Sequence, residues 1–110
     1  MIKELYKAIK KHVDLEDETI MDAGTHGADG GFSGFTYNND CIDFFDENSD
    51  LIQEFAQNEA NDLGYKNWME MASDFIRADM LNMVDGYKVL MAWYVLEEVG
   101  RWLENNKDES

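Results

Sequence analysis

The chain has 110 residues, 45% of them apolar, with three Trp, five Tyr, six Phe and seven Met, and its 24 acidic against nine basic side chains give a formal charge of −15. That composition suffices for one modest core in a single 110-residue domain and excludes an acidic disordered tail, which is poor in large apolar groups. Cys41 is the only cysteine, which excludes an internal disulfide and a Cys-based zinc motif and makes a reduced, cytoplasmic setting the expectation.

Ile2, Leu5, Tyr6, Ile9 and Val13 recur at helical spacing with Lys3, Lys7, Lys10 and Lys11 on the other face, so residues 2–13 read as a basic amphipathic helix. The same stretch alternates apolar with basic residues and lacks the continuous apolar centre of a secretory signal. A basic helix of this kind can rest on an anionic membrane, but the acidic remainder would be repelled there, and docking onto the domain's own acidic body is expected instead. From His12 through Tyr65 the chain carries fourteen Asp or Glu and not one Lys or Arg. Such a segment cannot neutralise itself, so a tight partner brings positive charge and nucleic acid is the least suitable ligand.

Gly24, Gly27, Gly30, Gly31 and Gly34 read as a shaped loop, with a small β-hairpin expected near residues 20–38. Helical periodicity returns after Asn39. Asp40 is placed to cap a segment holding Cys41, Phe44 and Phe45, and Asn48 with Ser49 offers a stop and a new cap before Leu51, Ile52, Phe55, Ala56, Ala60 and Leu63. Gly64 suits a helix end. Asn67 followed by Glu70 has the form of a capping box ahead of Trp68, Met71, Ala72 and Phe75. Asp85 and Gly86 mark a turn, after which residues 87–105 are apolar on most sides and predict a central helix. The longest apolar run, Val89 to Leu96, is far shorter than the ~20 residues that cross a bilayer. The expected architecture is mainly α: about five helices bundled around a central C-terminal helix, with a Gly-rich loop.

Asp40, Asp43, Glu47, Asp50 and Glu54 are spaced three, four, three and four residues apart. On a single helix they form one outward line, with carboxylates about 5 Å apart along the axis at ~1.5 Å per residue. Cys41, Phe44, Asn48, Leu51 and Phe55 repeat that spacing one position later and predict an adjoining buried stripe. Like charges so arranged disfavour a helix by about 0.2 to 0.5 kcal/mol per pair, and no intervening cation offsets them. These five residues are the candidate partner-binding site, facing a basic groove on a nucleic-acid-binding protein. Solubility alone is the competing account of the same charge.

Other motifs point to less. Asp46, Asn48 and Asp50 imitate the start of a calcium loop, but Leu51 stands where Gly is needed and Gln57 where a bidentate Glu is needed. His26 and Asp29, with His12 or Cys41, lack metal-site spacing. The glycines match neither phosphate-binding signature, and Asp22 and Asp29 would repel phosphate. Cys41 lies beside Asp40 and Asp43, which disfavours a thiolate nucleophile. Glu97 and Arg101 are one turn apart and read as an ion pair. No catalytic, cofactor or metal residues are therefore assigned.

The stretch H-G-A-D-G-G-F-S-G-F-T-Y-N-N-D at 26–40, A-x-D-L-G-Y at 60–65 and A-W-Y-x-L-E at 92–97 resembles a small uncharacterised domain of bacteriophages and prophages. The resemblance supplies no catalytic residues. It implies a setting in which small acidic proteins act as DNA mimics against restriction enzymes or CRISPR effectors. The leading expectation is a non-catalytic inhibitor of that kind. The alternatives are a small enzyme or ligand-binding module built on the His26 loop with Glu97 and Arg101, and a homo-oligomeric structural protein.

Overall fold

The computed structural model describes residues 1–12, 15–26, 38–75 and 85–106. Its centre is the 21-residue helix α6, Gly86–Asn106, which buries Val89, Leu90, Met91, Ala92, Val95, Leu96, Val99 and Gly100. Five shorter helices surround it: α1 (Ile2–His12), α2 (Asp17–His26), α3 (Asn38–Glu47), α4 (Ser49–Asp62) and α5 (Trp68–Phe75). The fold is mainly α, and among the described residues there is no strand. One continuous core joins Leu5 and Ile9 of α1, Ile20 of α2, Cys41 and Phe44 of α3, Ile52 and Phe55 of α4 and Met71 of α5 to α6. The apolar side chains meet because each helix carries them at three- and four-residue spacing on one flank.

Helix α2 is the element that glycine content concealed. Residues 20–26, expected to open a loop or hairpin, are helical, and Gly24 lies inside α2. The remainder of the expected Gly-rich loop and hairpin falls on residues outside those described. Gly24 is tolerated in a helix because it is needed for contact: α2 crosses α6 at Gly100, backbone against backbone. A Cβ on Gly24 would stand 2.7 Å from the Arg101 amide nitrogen and 2.8 Å from the Gly100 carbonyl carbon. A Cβ on Gly100 would overlap the Ile20 carbonyl oxygen and stand 2.8 Å from the Gly24 nitrogen. These neighbours are backbone atoms, which cannot swing aside as a flexible side chain can.

The helix ends follow local chemistry. At Gly64, with φ of 89°, the chain enters the left-handed region. The Tyr65 amide donates to the Ala60 carbonyl at 2.8 Å and the Gly64 amide to that of Asn61 at 3.2 Å, closing α4 with a Schellman motif. Asn67 caps α5: its side-chain oxygen accepts from the Glu70 amide at 2.8 Å. At the start of α6 the positive φ falls on Asp85, at 59°, whereas Gly86 is the buried first residue of the helix. Asp tolerates that conformation better than most non-glycine residues. Helix α3 begins at Asn38, so Asp40 lies in its first turn instead of capping it.

Gly-to-Ala exchange in an unobstructed helix interior stabilises by about 0.5–1 kcal/mol. At the α2–α6 crossing the sign reverses, since the methyl overpacks rigid backbone at a typical cost of ~1–3 kcal/mol. Gly100→Ala is expected to lower Tm by at least ~5 °C in a thermal melt followed by circular dichroism. An unchanged or raised Tm would show that the crossing is not close.

Candidate functional site

The acidic segment is built from α3 and α4, and the two are not one helix. Asn48 separates them with φ of −127° and ψ of 25°, outside the helical region. Its side-chain amide donates to the Phe44 carbonyl at 3.0 Å, so it closes α3 and makes no side-chain cap for α4. The straight line that Asp40, Asp43, Glu47, Asp50 and Glu54 would form on one helix is therefore two segments that meet at a bend, at the stop expected from Asn48 and Ser49. Asp40, Asp43 and Glu47 belong to α3, and Asp50 and Glu54 to α4.

The expected two-faced arrangement survives the bend. Of the expected buried stripe Cys41, Phe44 and Phe55 are buried and Asn48 and Leu51 half-buried, while Asp43, Glu47, Asp50 and Glu54 are exposed and Asp40 is half-buried. Glu47 accepts from His12 Nδ1 at 3.2 Å, and His12 Nε2 faces the Asp40 carbonyl oxygen at 3.2 Å. Asp46, off the predicted line, takes Lys88 Nζ at 2.6 Å. That contact and the neighbouring Asp85 carboxylate hold the Lys88 ammonium above its ordinary pKa, with the Asp46 hydrogen bond as the main cause. Among the described residues, no cation lies within ion-pair distance of Asp43, Asp50 or Glu54.

Helix α1 runs antiparallel to α4. Met1 Sδ lies 3.9 Å from Asn58 Nδ2 near one end, and Ala8, Lys11 and His12 share a cleft of about 280 Å³ with Glu47 and Asn48 at the other. The helix docks through Leu5 and Ile9, and on one flank through Tyr6, whose hydroxyl donates to Asp17 at 2.8 Å. Of its four lysines only Lys10 turns inward, to the Leu15 carbonyl and, at 3.5 Å, to Asp17. Lys3, Lys7 and Lys11 are exposed, so the expected docking onto the acidic body is made by apolar contacts and one lysine, not by the whole basic face.

The residues of the alternative ligand site are dispersed in role. His26 is exposed at the end of α2. Arg101 pairs at 2.6 Å with Glu98, three residues earlier, in place of the expected Glu97. Cys41 is buried; desolvation, then the Asp40 charge, pushes its thiol up to about 12, against a smaller opposing effect of a hydrogen bond with Trp93. It is a core side chain, in surroundings that disfavour the thiolate. Sequence reasoning missed a second acidic cluster, where α4 meets α6. Glu59 is partly buried, and desolvation, followed by the nearby Glu98 and Asp62 charges, raises its carboxyl above the usual range. Burial, then the Glu98 and Glu59 charges, raise the Tyr94 hydroxyl.

Residues 2–109 match the family described as a domain of unknown function, DUF7222, and the chain belongs to that family. No curated protein and no solved structure matches it.

Because the folded state raises the Glu59 pKa above its unfolded value, the stability it supports is present at low pH and is lost as pH rises through the folded value. Glu59→Gln removes that loss. Thermal melts should show the variant more stable than the parent at pH 7 by roughly 2–4 °C, with the difference disappearing near pH 4. A variant less stable at pH 7 would mean that the carboxylate is stabilised by its surroundings.

Proposed function

We propose that the protein acts without catalysis, by binding a cationic groove on a nucleic-acid-processing protein through Asp40, Asp43, Glu47, Asp50 and Glu54. In this reading it is an inhibitor of the anti-restriction or anti-CRISPR kind, carried by a phage or mobile element and acting in the host cytoplasm. The observation that carries the reading is the exposure of Asp43, Asp50 and Glu54 with no ion-pairing cation among the described residues. Carboxylates left so close together repel one another, and a basic groove that covers them relieves the repulsion of both surfaces at once.

The bend at Asn48 gives the acidic surface a shape, and that favours a curved or two-walled groove over a flat basic patch. Exposed charges of this kind set the rate and salt dependence of association more than its ultimate strength. The surface needs no buried cofactor to act.

Affinity capture from a bacterial lysate tests the reading. In ~0.1 M salt the protein should retain a nucleic-acid-binding protein that added duplex DNA displaces and that ~0.5 M salt releases. Asp43→Asn/Asp50→Asn/Glu54→Gln should retain it at least tenfold less. Retention indifferent to salt, to DNA and to these substitutions would refute charge-led mimicry.

A further inference from the structure

The acidic surface does not stand alone. Lys3, Lys7 and Lys11 are four residues apart on the flank of α1 opposite the buried Leu5 and Ile9, and so form an outward ridge spanning about 12 Å at ~1.5 Å per residue. Among the described residues, none of the three has a carboxylate within ion-pair distance. Glu4, exposed beside them, is taken by the α-amino group at 2.9 Å. Asp50 and Glu54 stand about 6 Å apart on the outward flank of α4, opposite the buried Ile52 and Ala56, and Glu47 extends this acidic ridge across the break at Asn48. The two helices lie side by side and antiparallel, fixed by Met1 against Asn58 at one end and His12 against Glu47 at the other. Interpolating between those contacts sets Lys11 beside Asn48, Lys7 beside Ile52 and Lys3 beside Ala56. The basic ridge therefore overlaps the acidic one along the axis, with Lys11 one residue past the level of Glu47 and Lys7 and Lys3 each two residues past those of Asp50 and Glu54, an offset of about 3 Å or less, but the two do not neutralise each other.

We propose that this face binds a second copy of the chain. A two-fold axis running between α1 and α4, parallel to both, lays the lysine ridge of each copy on the acidic ridge of the other and preserves the level of every charge along the helices. Both pairs of ridges are then matched in one closed, isologous contact. Adjacent helices are 8–10 Å apart, so the ridges of the two copies coincide without sliding. The net charge of −15 on each copy opposes the contact over long distances. That repulsion is screened beyond the Debye length of ~8 Å at 0.15 M salt, whereas the ridge-to-ridge pairs are shorter than this. Association is thus expected to be weak and strongest at intermediate salt.

The proposal uses carboxylates that also belong to the proposed target-binding face, so a copy and a target would compete for them. It is tested on purified protein alone, and its failure would leave the target-binding reading untouched, as the failure of lysate capture would leave this one. Sedimentation of the full chain at concentrations up to ~1 mM should show reversible self-association at 0.15 M NaCl, weakened at least tenfold both at 0.01 M and at 1 M. Lys3→Glu/Lys7→Glu/Lys11→Glu and Asp50→Lys/Glu54→Lys should each be monomeric, and an equimolar mixture of the two should associate again, because the reversed ridges match across the copies. Circular dichroism establishes that each variant is folded, and Lys3→Gln/Lys7→Gln/Lys11→Gln substitutes for a reversal variant that is not. A parent chain that stays monomeric at every salt concentration, association that survives reversal of either ridge, or folded reversal variants that fail to restore association on mixing would each overturn the proposal.

Discussion

The tightest constraint in this fold is the backbone contact between Gly24 of α2 and Gly100 of α6. Two helices ordinarily keep 8–10 Å between their axes because side chains fill the space. Where both contribute glycine, the backbones approach until carbonyl and amide atoms touch. This closeness fixes where α2 sits along α6, and with it the depth of Ile20 and Ala23 in the core. Because Tyr6 and Lys10 reach Asp17 at the start of α2, the position of α1 depends in turn on the same crossing.

The opposite side of α6 is held differently. Helix α3 packs through Cys41, Phe44 and Phe45, and its contact with the start of α6 is reinforced at the surface, where Lys88 pairs with Asp46 and lies 6.0 Å from the centre of the Phe45 ring. Phe45 also meets Tyr87 edge to face at 5.7 Å between ring centres. Helix α5 is fastened to the bundle by the Trp68–Tyr87 ring contact and the Tyr94 hydroxyl near Met71 Sδ. The core and the acidic surface are thus two flanks of the same helices. A carboxylate can project outward at Asp43 only because Phe44, the next residue, is sealed within the core.

How much was legible follows from the range of each cause. The Schellman end of α4 and the cap of α5 depend on residues within six positions of one another, and Gly64, Asn67 and Glu70 announce them. The inward position of Cys41, Phe44 and Phe55 and the outward position of Asp43, Glu47, Asp50 and Glu54 likewise follow from helical spacing. Helix α2 was hidden because Gly24 carries an unfavourable helix propensity, and its compensation lies seventy-six residues away at Gly100, where no local pattern points. Arg101 pairs with Glu98 and not with the expected Glu97, although both lie within one turn of it and spacing alone does not separate them. The bend at Asn48 fell between these cases. The sequence marks a stop there, and the straight five-residue acidic line holds only for a helix that continues through it.

By itself the sequence determined a mainly α chain, the helix ends that turn chemistry specifies, an apolar C-terminal helix at the centre and an excess of negative charge that no local cation offsets. Each is a property of composition or of neighbours along the chain. Only the tertiary structure decided that α2 is a helix, that the acidic surface bends, that Asp46 pairs with Lys88 and Glu47 meets His12 while Asp43, Asp50 and Glu54 have no ion-pairing cation among the described residues, and that an exposed lysine ridge runs alongside the acidic one. Those outcomes depend on which surfaces meet across the bundle, and Coulomb attraction and steric contact act through space, whatever the separation in sequence.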